Sequence, residues 1–184
     1  MNVMSSSVVP TTGAATPAAE QISYSIATSA LGELLVARSA TGVCSIQFGR
    51  DRQKLEAELA AEFPDARLIT DDDAVRDDLA NILDFIERPA KKLHLALDLR
   101  GTVFQRRVWE MLLTIPTGTT LTYSELADRL GMPGSARAVA SACAANRLAV
   151  AVPCHRVVRS DGELAGYRWG IERKRSLVGK EAAA

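Results

Sequence analysis

The run Pro153-Cys154-His155-Arg156-Val157-Val158 sets a thiol directly beside an imidazole, at the end of the apolar residues 148–152. A thiol is a nucleophile only as its thiolate, so a reactive cysteine requires a nearby base or positive charge. His155 is a candidate base. Adjacency alone does not establish a catalytic pair, because neighbouring side chains on an extended strand point to opposite faces. Taken by itself, a Cys-His dipeptide reads first as a buried thiol beside a surface histidine. Cys44 falls in a strand alternation and Cys143 among alanines on a helix, and both read as packed, inert thiols. These scattered cysteines build no disulfide framework and, lacking a C-x-x-C pair, suggest no zinc site. No metal is therefore expected, and a reducing, cytoplasmic setting is the simplest reading.

The elements that must position this run are marked along the chain. Residues 22–27, 32–39 and 43–48 read as three short strands, rich in β-branched or apolar residues and bounded by Gly, Ser or Thr, as in a meander. Leu55, Leu59 and Phe63 have helical spacing and predict a helix over 51–63, ended by Pro64. Asp71-Asp72-Asp73 opens a second helix to about residue 86, and the triplet suits the positive end of a helix dipole rather than a metal. His94 lies in the alternation Leu93-His94-Leu95-Ala96-Leu97 of a strand, with no second ligand at metal spacing, and reads as structural. Beyond Gly101, Val103, Phe104, Val108, Met111 and Leu112 form a helical stripe ended by Pro116 and Gly118. Thr122-Tyr123-Ser124-Glu125 opens a short helix to residue 130, Gly131-Met132-Pro133-Gly134 turns, and a further helix spans 135 to about 146. This is a helix-turn-helix pattern whose Ala-rich second helix could approach a duplex closely. Plain helix packing produces the same pattern.

A chain of 184 residues suffices for one large domain or two small ones. No apolar stretch approaches the roughly 18 residues of a membrane span. The first 19 residues carry no charged side chain, which fits neither a signal nor a transit peptide, so 1–20 reads as a disordered extension. The zero net charge hides a gradient: residues 1–100 hold 10 Lys+Arg against 15 Asp+Glu, and 101–184 hold 12 against 7. The basic half is a candidate for polyanion contact, chance variation between solvated faces being the alternative.

Residues 104–181 resemble the catalytic domain of the O6-alkylguanine-DNA alkyltransferases, the bacterial type in particular. The resemblance rests on Tyr123, Arg137-Ala138-Val139, Asn146, the run PCHRVV, Gly166-Tyr167-Arg168-Trp169-Gly170, Lys174 and Glu181, in order and spacing. It implies a mixed α/β (α+β) fold, with a ribonuclease-H-like α/β domain over 21–98 and a mostly helical catalytic domain bearing a helix-turn-helix over 99–184. The cysteine-rich zinc module of the larger adaptive-response regulators and the zinc ligands of the vertebrate members have no counterpart here. Neither a metal, another cofactor nor a transcriptional role is expected.

The implied activity is direct-reversal DNA repair on double-stranded DNA carrying O6-alkylguanine, by a monomer and without a membrane. O4-alkylthymine remains open as a second substrate. Cys154 would take the alkyl group by SN2 displacement, His155 would act as base through a water, and Glu181 would orient the imidazole. Asn146 would hold the cysteine segment in register. The nucleotide must be flipped out to reach a buried thiol. Arg137 would fill the vacated stack, with Ala138 and Arg156 also at the DNA. Tyr123 would help rotate the phosphate and protonate the leaving guanine. Tyr167, Arg168, Trp169, Val157 and Lys174 would form the substrate pocket. Read alone, Glu181 would be a solvated helix-end charge, Asn146 a C-cap, Arg137 a phosphate contact and Tyr123 a hydrophobic staple. A minor-groove approach suits a repair protein, since backbone and shape readout is nearly sequence-blind.

A thioether is a very poor leaving group, so the protein should be consumed in one turnover. Arg168 and Trp169 stand where vertebrate members carry small residues, which predicts a tight pocket that takes methyl and discriminates against benzyl. Trp169 packed on the core as a lid would instead leave it open. Three rivals remain: an alkyltransferase-like lesion sensor, whose members replace the acceptor cysteine; a redox-sensing helix-turn-helix regulator, which requires a dimer interface; and a cysteine hydrolase, which requires an oxyanion hole.

Overall fold

Short runs of apolar and β-branched residues form the first three strands, which pair as an antiparallel meander: β1 (Gln21–Ser29), β2 (Gly32–Arg38) and β3 (Val43–Gly49). Gly32 closes the first turn at φ +103°, where a Cβ would also lie 2.8 Å from the Gly49 carbonyl oxygen, so only glycine fits. The computed structural model describes residues 19–89, 93–164 and 166–184, and the extension expected over 1–20 lies outside them except for its last two residues. Helix α1 (Arg52–Glu62) starts at Asp51, whose side chain accepts from the Lys54 amide, and stops before Pro64. A short strand not foreseen from the sequence, β4 (Arg67–Thr70), then pairs parallel to β1 and gives the order β3-β2-β1-β4. Helix α2 (Asp72–Glu87) follows, with Asp71 accepting from the Ala74 amide and Asp72 and Asp73 in its first turn. Those acidic residues complement the helix dipole as expected.

The pleat of β2 divides the core in two. Leu35 and Ala37 join Ile22, Cys44, Leu55, Leu59 and Phe63 beneath α1. Leu34 and Val36 face the larger cluster, which takes in residues from both halves of the chain, including Ile82, Trp109, Leu126 and Leu177. Each fully buried Val or Leu of this kind contributes about 1.5–3 kcal/mol.

The alternation at residues 93–97 does not become a regular strand. His94 is exposed and the leucines on either side are half-buried, so the pattern survives, but among the described residues the only pairing is one bridge between Val43 and Leu97. The reason is competition for the free edge of β3. Val43 bonds to Ala96 O and Asp98 N, whereas Ile46 bonds to Arg147 O at 2.9 Å and Ala149 N at 3.1 Å. That edge is shared between two passing segments, and the second leads to Cys154.

Helix α3 (Val103–Leu113) opens with a capping box formed by Thr102 and Gln105. It buries Val108, Trp109 and Leu112. Val103, expected on this stripe, is 69% exposed because it shares the face of Arg107 and Glu110. After β5 (Leu121–Thr122), α4 (Tyr123–Arg129) has a second capping box, Thr122 with Glu125. A turn with Gly131 and Gly134 at positive φ leads to α5 (Ala136–Ala144). The Trp109 indole donates to Ala142 O at 2.9 Å, fixing α3 against α5. β6 (Val157–Val158) pairs parallel with β5, and α6 (Ile171–Ala182) completes the fold, which is mixed α/β as expected. Among the described residues no helix is long and apolar enough to cross a membrane.

Candidate active site

Cys154, His155 and Arg156 occupy one 3-10 turn at the end of the mostly buried residues 148–152, not an extended strand. Consecutive side chains on such a turn diverge by about a third of a revolution, so the thiol and imidazole are served by different partners.

Asn146 serves the thiol. Its Nδ2 lies 3.2 Å from Cys154 Sγ, 2.9 Å from Val152 O and 3.3 Å from Leu148 O, while its Oδ1 accepts from Leu148 N at 2.9 Å. An amide has two protons, so three acceptors share them. The C-cap reading fails: the C-cap of α5 is Ala145, and the Asn146 side chain is turned inward. The clamped segment is strained. Val150 has φ +67°, and the Ala151 amide reaches back to Ala149 O at 2.6 Å across it, a γ-turn with a β-branched residue at its centre. Such strain costs on the order of 1–3 kcal/mol and persists only where the surroundings enforce it.

Glu181 serves the imidazole. Its Oε1 accepts from His155 Nε2 at 2.9 Å and Arg156 Nη2 at 2.9 Å, and its Oε2 accepts from Arg156 Nε at 2.8 Å. Burial alone would raise this carboxyl, but hydrogen bonds and charge from His155 and Arg156 outweigh it and hold the pKa at about 2. The carboxylate is thus an acceptor only, and His155 Nε2 must carry the proton it donates. The lone pair is left on Nδ1, which is buried with no partner among the described residues. Burial pushes the His155 pKa below its usual value, with Glu181 opposing and the Arg156 and Lys174 charges adding to the fall, so the ring is neutral at neutral pH. Burial likewise raises the Cys154 thiol to about 11, against the Asn146 hydrogen bond and the Lys174 charge. The site therefore holds a protonated thiol and a neutral imidazole.

A cavity of about 30 Å³ opens beside the sulfur, between Tyr123 of α4, Ala140 and Cys143 of α5, and Tyr167 and Arg168 of the following loop. It has room for a methyl group or a water. Ala140 and Ala144, one helical turn apart, leave that space by their small size. Arg137 and Ala138 stand exposed in the first turn of α5.

Several expected placements change. Arg156, expected at DNA, is 7% exposed and gives its guanidinium to Glu181, Ile115 O and Thr117 Oγ1. Val157 is fully buried in the β5–β6 pair, and the fully buried Lys174 donates to its carbonyl at 2.6 Å, so both lie behind the cavity. Trp169 is in the core, edge-on to Tyr167 with ring centroids 5.1 Å apart, and lines a separate groove with Phe48 and Arg173. The solvated-charge reading of Glu181 also fails, since it is 4% exposed. Cys143 is a packed thiol raised to about 12 by burial, as its setting suggested, but it also walls the cavity, which the sequence did not reveal. No group of three or more His, Cys, Asp or Glu able to hold a metal occurs among the described residues.

The family profile described as 6-O-methylguanine DNA methyltransferase, DNA binding domain, matches residues 103–183. The chain is 46% identical over 161 residues to the bifunctional transcriptional activator/DNA repair enzyme Ada of Escherichia coli, covering 88% of this chain and 46% of that protein. It is 58% identical over 82 residues to the methylated-DNA–protein-cysteine methyltransferase of Mycobacterium bovis, covering 45% of this chain and 50% of that one. It thus spans about half the length of these curated relatives. The crystal structure of Mycobacterium tuberculosis O6-methylguanine methyltransferase superposes with a TM-score of 0.75 at 34% identity, over 88% of this chain and 93% of that one. The crystal structure of Mycobacterium tuberculosis OGT in complex with DNA gives 0.72 at 35% identity, with the same coverage.

Proposed function

Since the chain belongs to the O6-methylguanine-DNA methyltransferase family, we propose that it repairs DNA by moving a methyl group from guanine O6 to Cys154, once per molecule. The observation that carries this reading is the buried Cys154 thiol at a methyl-sized cavity, with Asn146 on its sulfur, beside a His155 held by Glu181, which Arg156 holds in turn.

In this reading His155 Nδ1 takes the thiol proton through a water, and the sulfur lone pair attacks the methyl carbon. The S–C bond forms as the C–O6 bond breaks, and the electron pair leaves with guanine. Tyr123, at the cavity wall, supplies the proton that neutralises the leaving base. Burial raises the Tyr123 pKa to about 12, which keeps the hydroxyl protonated until it is needed. Glu181 stabilises the imidazolium as it forms, and the Lys174 charge favours the thiolate. Nothing in the array removes an alkyl group from a thioether, so the product is a dead, alkylated protein.

On the DNA side, α4 and α5 act as a helix-turn-helix, with Arg137 filling the gap left by the flipped nucleotide and Ala138 beside it. Residues 21–98 form a ribonuclease-H-like domain and 99–184 the catalytic domain. The protein acts as a cytoplasmic monomer on double-stranded DNA. The test is a titration with a duplex carrying one O6-methylguanine. Repair should plateau at about one lesion per protein molecule. Continued turnover would refute the reading, and tight lesion binding without transfer would indicate a sensor.

A further inference from the structure

Glu62, the last residue of α1, is nowhere near the motifs of the catalytic segment in sequence. Its side chain is nonetheless 4% exposed and is aimed at that segment. Oε2 accepts from Ser45 Oγ at 3.0 Å and Gln47 Nε2 at 2.6 Å, both on β3. Oε1 has no well-aimed hydrogen-bond donor, and Arg147 Nε lies 3.1 Å from it as an ion pair. Burial raises the Glu62 pKa, with the Arg147 charge the largest opposing influence. A buried carboxylate deprived of its cation is strongly disfavoured, so Glu62 demands that Arg147 stay where it is.

Arg147 is the residue after Asn146. Its carbonyl accepts from Ile46 N at 2.9 Å, and the Ala149 amide returns to Ile46 O at 3.1 Å. The segment is thereby pinned twice to the N-terminal sheet, by backbone at β3 and by charge at Glu62. Between these pins and α5 sits Asn146, with Nδ2 3.2 Å from the Cys154 sulfur. Resting on the reading of Cys154 as the alkyl acceptor, we infer that Glu62 is a positioning residue for the transfer: through Arg147 it fixes the backbone next to Asn146 and so keeps the Asn146 donor on the thiol. The N-terminal sheet thus takes part in the chemistry without touching the substrate. Misplacing a catalytic group by about an ångström from a distance is enough to lose rate.

The test compares wild type with Glu62→Gln, Arg147→Met, Arg147→Lys and the double variant Glu62→Gln/Arg147→Met. The probe is a methyl-labelled duplex under single-turnover conditions at saturating protein. Arg147 is 38% exposed on its side chain, so its variants should fold. Glu62→Gln and Arg147→Met should each slow the saturating transfer rate by about ten- to a hundredfold. Duplex affinity should stay within about twofold, because neither residue is on the α5 face. Arg147→Lys should recover most of the rate, and the double variant should be no slower than the worse single one, as for residues acting through one contact. An unchanged rate in Arg147→Met, or independent effects that multiply in the double variant, would overturn the inference while the wild type still methylates Cys154. Failure of the wild type to methylate Cys154 would instead overturn the reading on which it rests.

Discussion

Glu181→Gln is the sharpest perturbation of the site, because one carboxylate answers to two buried partners. It accepts from His155 at 2.9 Å and from Arg156 at 2.8 and 2.9 Å, and its side chain is 2% exposed. The variant leaves the Arg156 guanidinium in the interior without a counter-charge, with one amide oxygen beside the Ile115 carbonyl and the Thr117 hydroxyl. Removing one member of a buried ion pair costs about 3–5 kcal/mol. Linkage gives a similar figure: the carboxyl falls from 4.5 to about 2 on folding, and at ~1.4 kcal/mol per unit this is on the order of 3 kcal/mol. The folded pKa is the lower one, so this contribution is complete above about pH 4.5 and is lost as the pH falls toward 2. In the variant, stability should drop at neutral pH and its decline between those two pH values should flatten. The neutral amide also no longer dictates which His155 nitrogen carries the proton, so the saturating transfer rate should fall by roughly 10²–10⁴. Denaturant unfolding across pH and single-turnover transfer measure the two effects. A stability loss under about 1 kcal/mol with a rate within about threefold of wild type would refute the reasoning.

Asn146→Ala strips the donor from Leu148 O, Val152 O and the thiol together, and should cost about 2–3 kcal/mol in urea unfolding as well as most of the transfer rate. Arg137→Ala should weaken duplex binding, as loss of the side chain that fills the vacated stack does; an unchanged duplex affinity would remove Arg137 from the interface. The 30 Å³ cavity should accept methyl far better than benzyl, with Arg168, rather than the core-packed Trp169, as the wall that matters. Equal reaction rates with O6-methylguanine and free O6-benzylguanine would contradict this, whereas a selective gain toward benzyl in Arg168→Ala would support it.

Much of the fold is legible because local rules are strong where it begins and ends. Asp51, Asp71 and Thr122 stand at the helix starts read from the sequence, and all three cap them. The strands β1 to β3 follow from short runs of β-branched and apolar residues bounded by Gly, Ser or Thr. β4 was invisible because its four residues, Arg67–Thr70, are half-buried or exposed and owe their conformation to parallel pairing with β1. The 93–97 alternation misled in the opposite direction, since no single segment could know that the β3 edge was shared.

The site divides along the same line. Cys154, His155 and Asn146 are carried by a distinctive local run. Glu181 owes its importance to burial against Arg156, across 25 residues of chain, and Arg156 looked like a surface cation for the same reason. Charge type is written in a sequence; which charges are desolvated together is decided by packing. Glu62 and Arg147 are the extreme case, joined across about half of the described chain by an ion pair whose carboxylate is buried.

The decisive measurement places an isotopic label in the methyl group of a single O6-methylguanine within a duplex, mixes it with the protein, and maps the label by digestion and mass spectrometry. Transfer to Cys154 requires one labelled methyl on that residue, with unmodified guanine restored in the DNA and none of the label on Cys143 or Cys44. Label on another residue, or a lesion bound but left intact, would contradict it.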